Sequence, residues 1–249
     1  MAKTPVNIYY FNNPEIYEDV QKSKQRYIEE IKFLSSIFKK YKVKKVLDVG
    51  CGTGLHLHLL SKKGIIGEGI DLNKKMIAFA KSKYPKITFD VANMQDLKRE
   101  GFEGIFSLCT TFAYNTTNKD ILKTINSFRD ALKNKGIVIV ETFNPIVFIK
   151  SKQFKLKRKV NEPYNKFGLY CEVNHEIDEQ LQIMIETRNI FSNKTKKIVK
   201  RDVLKYRLFF PQEIKYFFES NGFRVLKQLT SYTSDKKDNY RLITIAQKI

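Results

Sequence analysis

Between Val46 and Leu60 the chain reads VLDVGCGTGLHLHLL. Gly50, Gly52 and Gly54 fall directly after a short apolar run around Asp48 and directly before a leucine-spaced segment. Glycines spaced in this way let the backbone turn sharply and leave no Cβ between the main chain and a ligand. The pattern is a strand-turn-helix nucleotide site. It is not a Walker loop, because no Gly-Lys-Ser/Thr follows, and its GxGxG spacing departs from the dinucleotide fingerprint. About twenty residues on, Asp71 closes a second apolar run, where an acid is placed to accept hydrogen bonds from both ribose hydroxyls. Taken alone, Asp71 could equally cap the following helix. Other residues able to do chemistry are the hydroxyls of Thr110, Thr111 and Tyr114, then Glu141 at the end of IVIVE, Asn144, and the histidines at 56, 58 and 175.

The glycine turn, Asp48 and Asp71 together resemble motif I and the acidic strand end of the class I S-adenosylmethionine-dependent methyltransferases. That resemblance implies S-adenosylmethionine as cofactor. Asp48, Gly50, Cys51, Gly52, Thr53 and Gly54 would approach its methionine part, Asp71 its ribose, and Leu72 and Met76 its adenine. Asn93 would accept from the adenine amine, with Met94 as an apolar wall; Asp90 is less suited because it is still on the strand. His56 would touch the cofactor and His58 would be structural. Tyr17 and Tyr27 match aromatic positions on an N-terminal helix that closes over the cofactor in related enzymes, Tyr17 near the reacting groups. Both are equally readable as core packing. In the loop SLCTTFAY, where family members face the transferred methyl, Leu108 and Cys109 fall to the cofactor. Thr110, Thr111 and Tyr114 fall to the substrate, unless the threonines merely bond the local backbone.

A narrower similarity is to small-molecule enzymes, particularly the N,N-dimethyltransferases of nucleotide-linked amino sugars. It rests on His56-Leu57, on the phrase SLCTTFAYNTT, and on an inserted sheet of similar length and position. The closing segments RLFFPQEI (Arg207–Ile214) and NGFR (Asn221–Arg224) resemble the family's ending, a helix docked before a final hairpin.

Methyl transfer from a sulfonium is an in-line displacement, and positioning alone can supply roughly 7–11 kcal/mol of barrier reduction. An amine acceptor must only be unprotonated, whereas a hydroxyl needs a general base or a metal. Glu141, facing the site in this topology, is a candidate to orient an amine or accept a proton, and Asn144 follows it. His175 is the only histidine placed to act as a base, although a lone strand histidine is also ordinary packing. No clustered acids suggest a metal. The loop after Ser107 lacks the Asn/Asp-Pro-Pro-Tyr/Phe pattern with which related enzymes hold a flipped base. This argues for a small polar substrate and against nucleic acid.

The chain has 249 residues and a formal net charge of +20. Such a charge suits nucleic acid, an anionic membrane or a phosphorylated metabolite, and it also describes a merely solvated surface. Two basic clusters stand out, KSKQFKLKRK (Lys150–Lys159) and KTKKIVKR (Lys194–Arg201). We expect them to attract an anionic small-molecule substrate. Cys51, Cys109 and Cys171 show no CxxC pairing, so no disulfide framework or zinc site is indicated. No signal core or membrane-length apolar run is evident, and a cytoplasmic enzyme is the default. Oligomeric state stays open, and RNA or protein methylation and a non-catalytic cofactor-binding regulator remain alternative functions.

Strands alternating with helices predict a doubly wound, seven-stranded, mostly parallel α/β sheet with its last strand antiparallel. Residues 1–42 form an N-terminal helical cap, with one helix expected over 13–41. Residues 43–149 and 210–249 form the cofactor-binding domain. Between them, 150–209 shows period-two alternation without helices, which predicts an inserted antiparallel sheet of about three strands covering the substrate.

Overall fold

A computed structural model of the chain describes residues 8–9, 11–21, 24–150, 158–161, 164–233 and 239–249. The cap holds two helices, α1 (Pro14–Gln21) and α2 (Lys24–Lys40), where the sequence predicts one. On α2, Tyr27, Ile31, Leu34 and Phe38 recur at three- and four-residue spacing and are buried, and Ile28 lies exposed beside them.

The chain then alternates: β1 (Lys45–Val49), α3 (Leu55–Ser61), β2 (Ile66–Asp71), α4 (Lys74–Lys83), β3 (Thr88–Val91), β4 (Phe102–Ser107), α5 (Asn118–Ala131) and β5 (Leu132–Phe143). Side chains cap the helices where the sequence offers them. Asn73 accepts from the Lys75 and Met76 amides at 2.9 and 3.1 Å, and Thr117 accepts from Asp120. The sequence predicts this helix over about 118–134, but it stops at Ala131, because Leu132 is already extended and pairs with Phe102. After α6 (Pro145–Lys150) come β6 (Arg158–Val160), β7 (Leu169–Asp178), β8 (Ile183–Ser192) and β9 (Ile198–Arg207). Helix α7 (Pro211–Glu219) and the strands β10 (Phe223–Leu229) and β11 (Arg241–Lys248) finish the fold.

The main sheet has the order β10-β11-β5-β4-β1-β2-β3. Strands β1 to β5 run parallel, while β11 is antiparallel to both β5 and β10. Ile137, Val138, Ile139 and Val140 are all fully buried, which explains the unbroken apolar run: helices cover both faces of the central strands. Beginning at β1, the chain moves out to β3 and then returns to β4. The crevice at this reversal, outside the carboxyl ends of the strands, is where such sheets bind ligands.

The second sheet, β6-β7-β8-β9, is antiparallel throughout. It has four strands rather than about three, the extra one being the three-residue β6, too short to show alternation. The two sheets are tied by aromatic contacts, Tyr114 with Tyr206 and Phe112 with Phe209, at ring distances of 4.9 and 5.5 Å. Among the described residues no helix is long and apolar enough to cross a membrane.

Candidate active site

Beyond β1 the backbone enters the left-handed region at Gly50 and Gly52, with φ of 79° and 53°. A Cβ at Gly50 would lie 2.3 Å from the Thr111 methyl, so packing excludes any side chain there. At Gly52 a Cβ would meet the Tyr17 ring at 3.5 Å, an ordinary contact, so here the left-handed backbone and not crowding selects glycine. The Gly50 and Cys51 amides both donate to the Ile70 carbonyl, at 2.8 and 2.9 Å. Asp71 completes the bracket, with one oxygen accepting from the Gly52 amide at 3.0 Å and the other from Asn73 at 2.8 Å. Burial raises the Asp71 carboxyl, and backbone hydrogen bonds from Asn73, Gly52 and Leu72 oppose that rise. The cap of α4 is Asn73 and not Asp71. A carboxylate has about four lone-pair sites, so Asp71 can serve the turn and still accept from a ribose.

This bracket forms one end of a cavity of about 280 Å³. Ile70, Leu72, Met76, Ala92 and Met94 supply an apolar wall, with Phe11 and Tyr17 over it. Asn93 does not line the cavity: it is exposed, and its amide oxygen accepts from Gln95 within its own turn. Gly54 is also outside, packed against Phe89.

A small recess shares Tyr17, Gly50 and Cys109 with the cavity and is lined further by Tyr27, Asp48, Cys51, Thr53, His56 and Leu108. Asp48 is fully buried, and one carboxylate oxygen has no hydrogen-bond partner among the described residues. Burial pushes its carboxyl up to about 7. A cation arriving here would relieve an unsatisfied buried acceptor. His56 lines this recess and not the main cavity, and its Nε2 lies 2.7 Å from Glu30 of α2. Burial would raise Glu30, but the His56 and Arg26 contacts outweigh it and hold Glu30 at about 2.

The other end of the cavity lies under β5, β11 and the cover sheet. Asp71 ends β2 and Glu141 lies on β5, three strand positions away, or roughly 14 Å at the spacing of neighbouring strands. Glu141 is buried and accepts a short hydrogen bond from the Tyr232 hydroxyl. Its other oxygen lies 3.9 Å from Arg26 Nη2 and 3.7 Å from Arg241 Nε. Cys109 and Thr110 hold left-handed conformations, φ 52° and 60°, which bring them and Thr111 to the wall between the two ends. Such conformations in residues other than glycine are enriched at functional sites, although Lys42, Lys135, Gln182 and Lys196 adopt them away from the cavity. Tyr114 also lines the cavity, its hydroxyl 3.3 Å from that of Tyr206.

Two further expected residues stand elsewhere. His175 is not at the cavity surface; its Nε2 lies 2.6 Å from Glu186, and Glu186 is what faces the cavity. Asn144 directly precedes α6, accepting from the Ile146 amide and donating to the Asn239 carbonyl, so its polar atoms serve the backbone. The basic clusters are also displaced. Lys155 and Lys157 lie outside the described residues, Arg158, Lys159, Lys194, Lys196, Lys197 and Arg201 are exposed, and the cations at the cavity are Arg26, Arg188 and Arg241. Sequence reading missed these arginines together with Phe11, Phe143, Glu186, Tyr206 and Tyr240. A signal existed for two of them, since Glu186 and Arg188 share the period-two face that strand pairing sets against His175. Among the described residues no group of His, Cys, Asp and Glu side chains could hold a metal.

Comparison with known proteins agrees with this geometry. Residues 40–222 match the methyltransferase domain family. A Streptomyces venezuelae protein named dTDP-3-amino-3,4,6-trideoxy-alpha-D-glucopyranose N,N-dimethyltransferase is 30% identical over 97 residues, 39% of this chain and 41% of that one. A Streptomyces fradiae dTDP-3-amino-3,6-dideoxy-alpha-D-glucopyranose N,N-dimethyltransferase is 26% identical over 132 residues, 51% of each chain. The chain thus spans about two fifths of the length of the first curated relatives it matches. A solved S-adenosylmethionine-dependent methyltransferase of Clostridium acetobutylicum superimposes with a TM-score of 0.78 at 15% identity, over 96% of this chain and 98% of that one, and so shares the fold. With the family match covering most of the chain, the glycine bracket, the seven-stranded sheet and the crevice have one reading: the chain belongs to the methyltransferase domain family.

Proposed function

We propose that the protein transfers a methyl group from S-adenosylmethionine to a nitrogen or oxygen of a small polar metabolite carrying an anionic group. A nucleotide-linked amino sugar is the acceptor class that we favour. The observation carrying this reading is the cavity's two-ended construction. The Gly52–Asp71 bracket and its apolar wall occupy one end, and the buried carboxylate Glu141, steadied by Tyr232, Arg26 and Arg241, occupies the other.

The residues fit the cofactor. Asp71 would take the ribose hydroxyls, Leu72, Met76 and Met94 the adenine, and Asp48 the cationic amino end through its unsatisfied oxygen. When bound, the sulfonium supplies the methyl group. Glu141 would orient the acceptor's N–H or O–H and take up a proton as the new bond forms. Thr110, Thr111 and Tyr114 would bound the acceptor, and Tyr17 with Phe11 would close the mouth against water. The relatives named for amino-sugar dimethylation favour an amine acceptor.

Calorimetry with S-adenosylhomocysteine tests the cofactor half. Mass spectrometry of nucleotide-linked amino sugars incubated with enzyme and S-adenosylmethionine tests the acceptor half. A protein that ignores S-adenosylhomocysteine would overturn the proposal, and selective methylation of RNA at moderate salt would redirect it.

A further inference from the structure

The cover sheet turns Glu186, Arg188 and Tyr206 toward the cavity. Alternation along each strand sends the neighbouring residues the other way, and strand pairing sets them in rows across β7, β8 and β9. Glu176, Ile185 and Lys205 form one row, Asn174, Thr187 and Val203 the next, and Glu172, Asn189 and Arg201 the third. In these rows the acids fall on β7 and the bases on β9, with uncharged side chains on β8 between them. Glu176, Arg201, Val203 and Lys205 are exposed and the others half-buried. Ile198 and Val199 of β9 are exposed as well.

A face ordered in this way is complementary to a second copy of itself. In an isologous pair of stacked sheets, a two-fold axis parallel to the strands keeps each residue's height and exchanges β7 with β9. Glu176 then meets Lys205 of the second copy and Glu172 meets Arg201, while Ile185 and Thr187 stack on their own copies along the axis. An axis across the strands would lay β7 on β7, acid against acid. Stacked sheets lie roughly 10 Å apart with their strands aligned to about 30°, a gap that a glutamate and a lysine span together. Asn174 donates to Glu176 at 3.1 Å and orients its carboxylate. Glu172 is the weaker member, because Lys159 of β6 pairs beside it; Glu176 lies beyond β6, whose pairing ends at Val173. Joining two β9 edges instead would bring their bases together, which disfavours that arrangement.

We propose that the outer face of the cover sheet is the interface of a homodimer, held by Glu176–Lys205 and Glu172–Arg201 pairs formed twice. This goes beyond the methyl-transfer reading and does not depend on it. Sedimentation velocity on the intact protein tests it. Wild type should form a dimer that dissociates on dilution. Glu172→Lys with Glu176→Lys, and separately Arg201→Glu with Lys205→Glu, should each raise the dissociation constant roughly ten- to hundredfold, since attractive pairs become repulsive in duplicate. An equimolar mixture of the two double variants should recover a dimer, because a basic face then meets an acidic one. A chain carrying all four changes keeps the wild-type net charge and should dimerise as wild type does.

A wild type that stays monomeric at the highest concentration reached overturns the proposal. So do double variants that dimerise as well as wild type, or a mixture that stays monomeric. If a double variant fails to fold by circular dichroism, Thr187→Arg decides: it sets a charge against its own copy on the axis and should dissociate the dimer, and an intact dimer refutes the interface. A wild type that dimerises but ignores S-adenosylhomocysteine would refute the enzyme reading and leave the interface standing.

Discussion

Replacing Asp48 by Asn should stabilise the ligand-free protein while weakening its hold on the cofactor. Asp48 is fully buried behind the glycine turn with an unsatisfied oxygen, and burial lifts its carboxyl from 3.8 to about 7. The folded state therefore keeps a proton that the unfolded chain releases above about pH 4. Stability from this group is complete below that pH and declines as pH rises toward 7. Three pH units at 1.36 kcal/mol each give a loss of roughly 4 kcal/mol at neutral pH. Asparagine keeps the shape and never ionises, but it brings an amide needing a partner, at a cost of about 1–3 kcal/mol. The net expectation is a gain of roughly 1–3 kcal/mol for Asp48→Asn at pH 7.5 that turns into a loss of about the same size near pH 4, where only the amide's cost remains. Urea unfolding of both proteins across this range measures it. In the same variant S-adenosylhomocysteine should bind about 10- to 100-fold more weakly, because a hydrogen bond between charged groups is lost. Wild-type binding at pH 6 should release a proton, visible as heat that depends on the buffer's ionisation enthalpy. Parallel stability curves for the two proteins between pH 4 and 7 would refute the burial argument. Unchanged affinity would refute the assignment of Asp48 to the cofactor.

Gly50→Ala places a methyl 2.3 Å from Thr111 at a φ of 79°; the left-handed conformation alone costs about 1–2 kcal/mol, so thermal unfolding should drop by several degrees and cofactor affinity with it. His56→Leu leaves the buried Glu30 carboxylate with Arg26 alone and should destabilise by about 1.5–3 kcal/mol in urea, the scale of a lost hydrogen bond to a charged group. Contacts with His56 and Arg26 hold Glu30 at about 2, below its ordinary 4.5, so that contribution is present above pH 4.5 and vanishes as pH falls toward 2. Burial lowers His56, but Glu30 raises it further, so the histidine's share is full below pH 6.5 and fades as pH rises through its folded value; a wild type without either slope would contradict the pair. Glu141→Gln should cut the methyl-transfer rate about 100-fold or more with S-adenosylhomocysteine affinity unchanged, and an unaffected rate would remove Glu141 from the reaction.

Local chemistry determined much of this protein without the structure. The glycine turn, the acid closing β2, the apolar run of β5 and the alternation of the cover sheet are each set by neighbours within a few residues. Fold class, the antiparallel last strand and the glycine turn were therefore legible in the chain, whereas the strand order and the Gly52–Asp71 hydrogen bond came with the structure. What converges from far apart was not. Arg26 comes from the cap, Glu141 from β5, Arg241 from β11 and Arg188 from the cover sheet, and their common cavity exists only once β5, β11 and β8 are paired. Nothing in the spacing separates His175, turned onto Glu186, from a base facing the substrate, because one strand face serves both. Likewise Asn93 and Asn144 have the right polarity, yet each is taken up by the backbone beside it. The abundant lysines stand apart from the cavity for a related reason: long charged side chains stay hydrated on the surface, and the cations lining the cavity are arginines held by buried carboxylates. Sequence named the glycine turn and Asp71 because they are local; the far end of the cavity is built from non-local residues, and only the tertiary structure decided it.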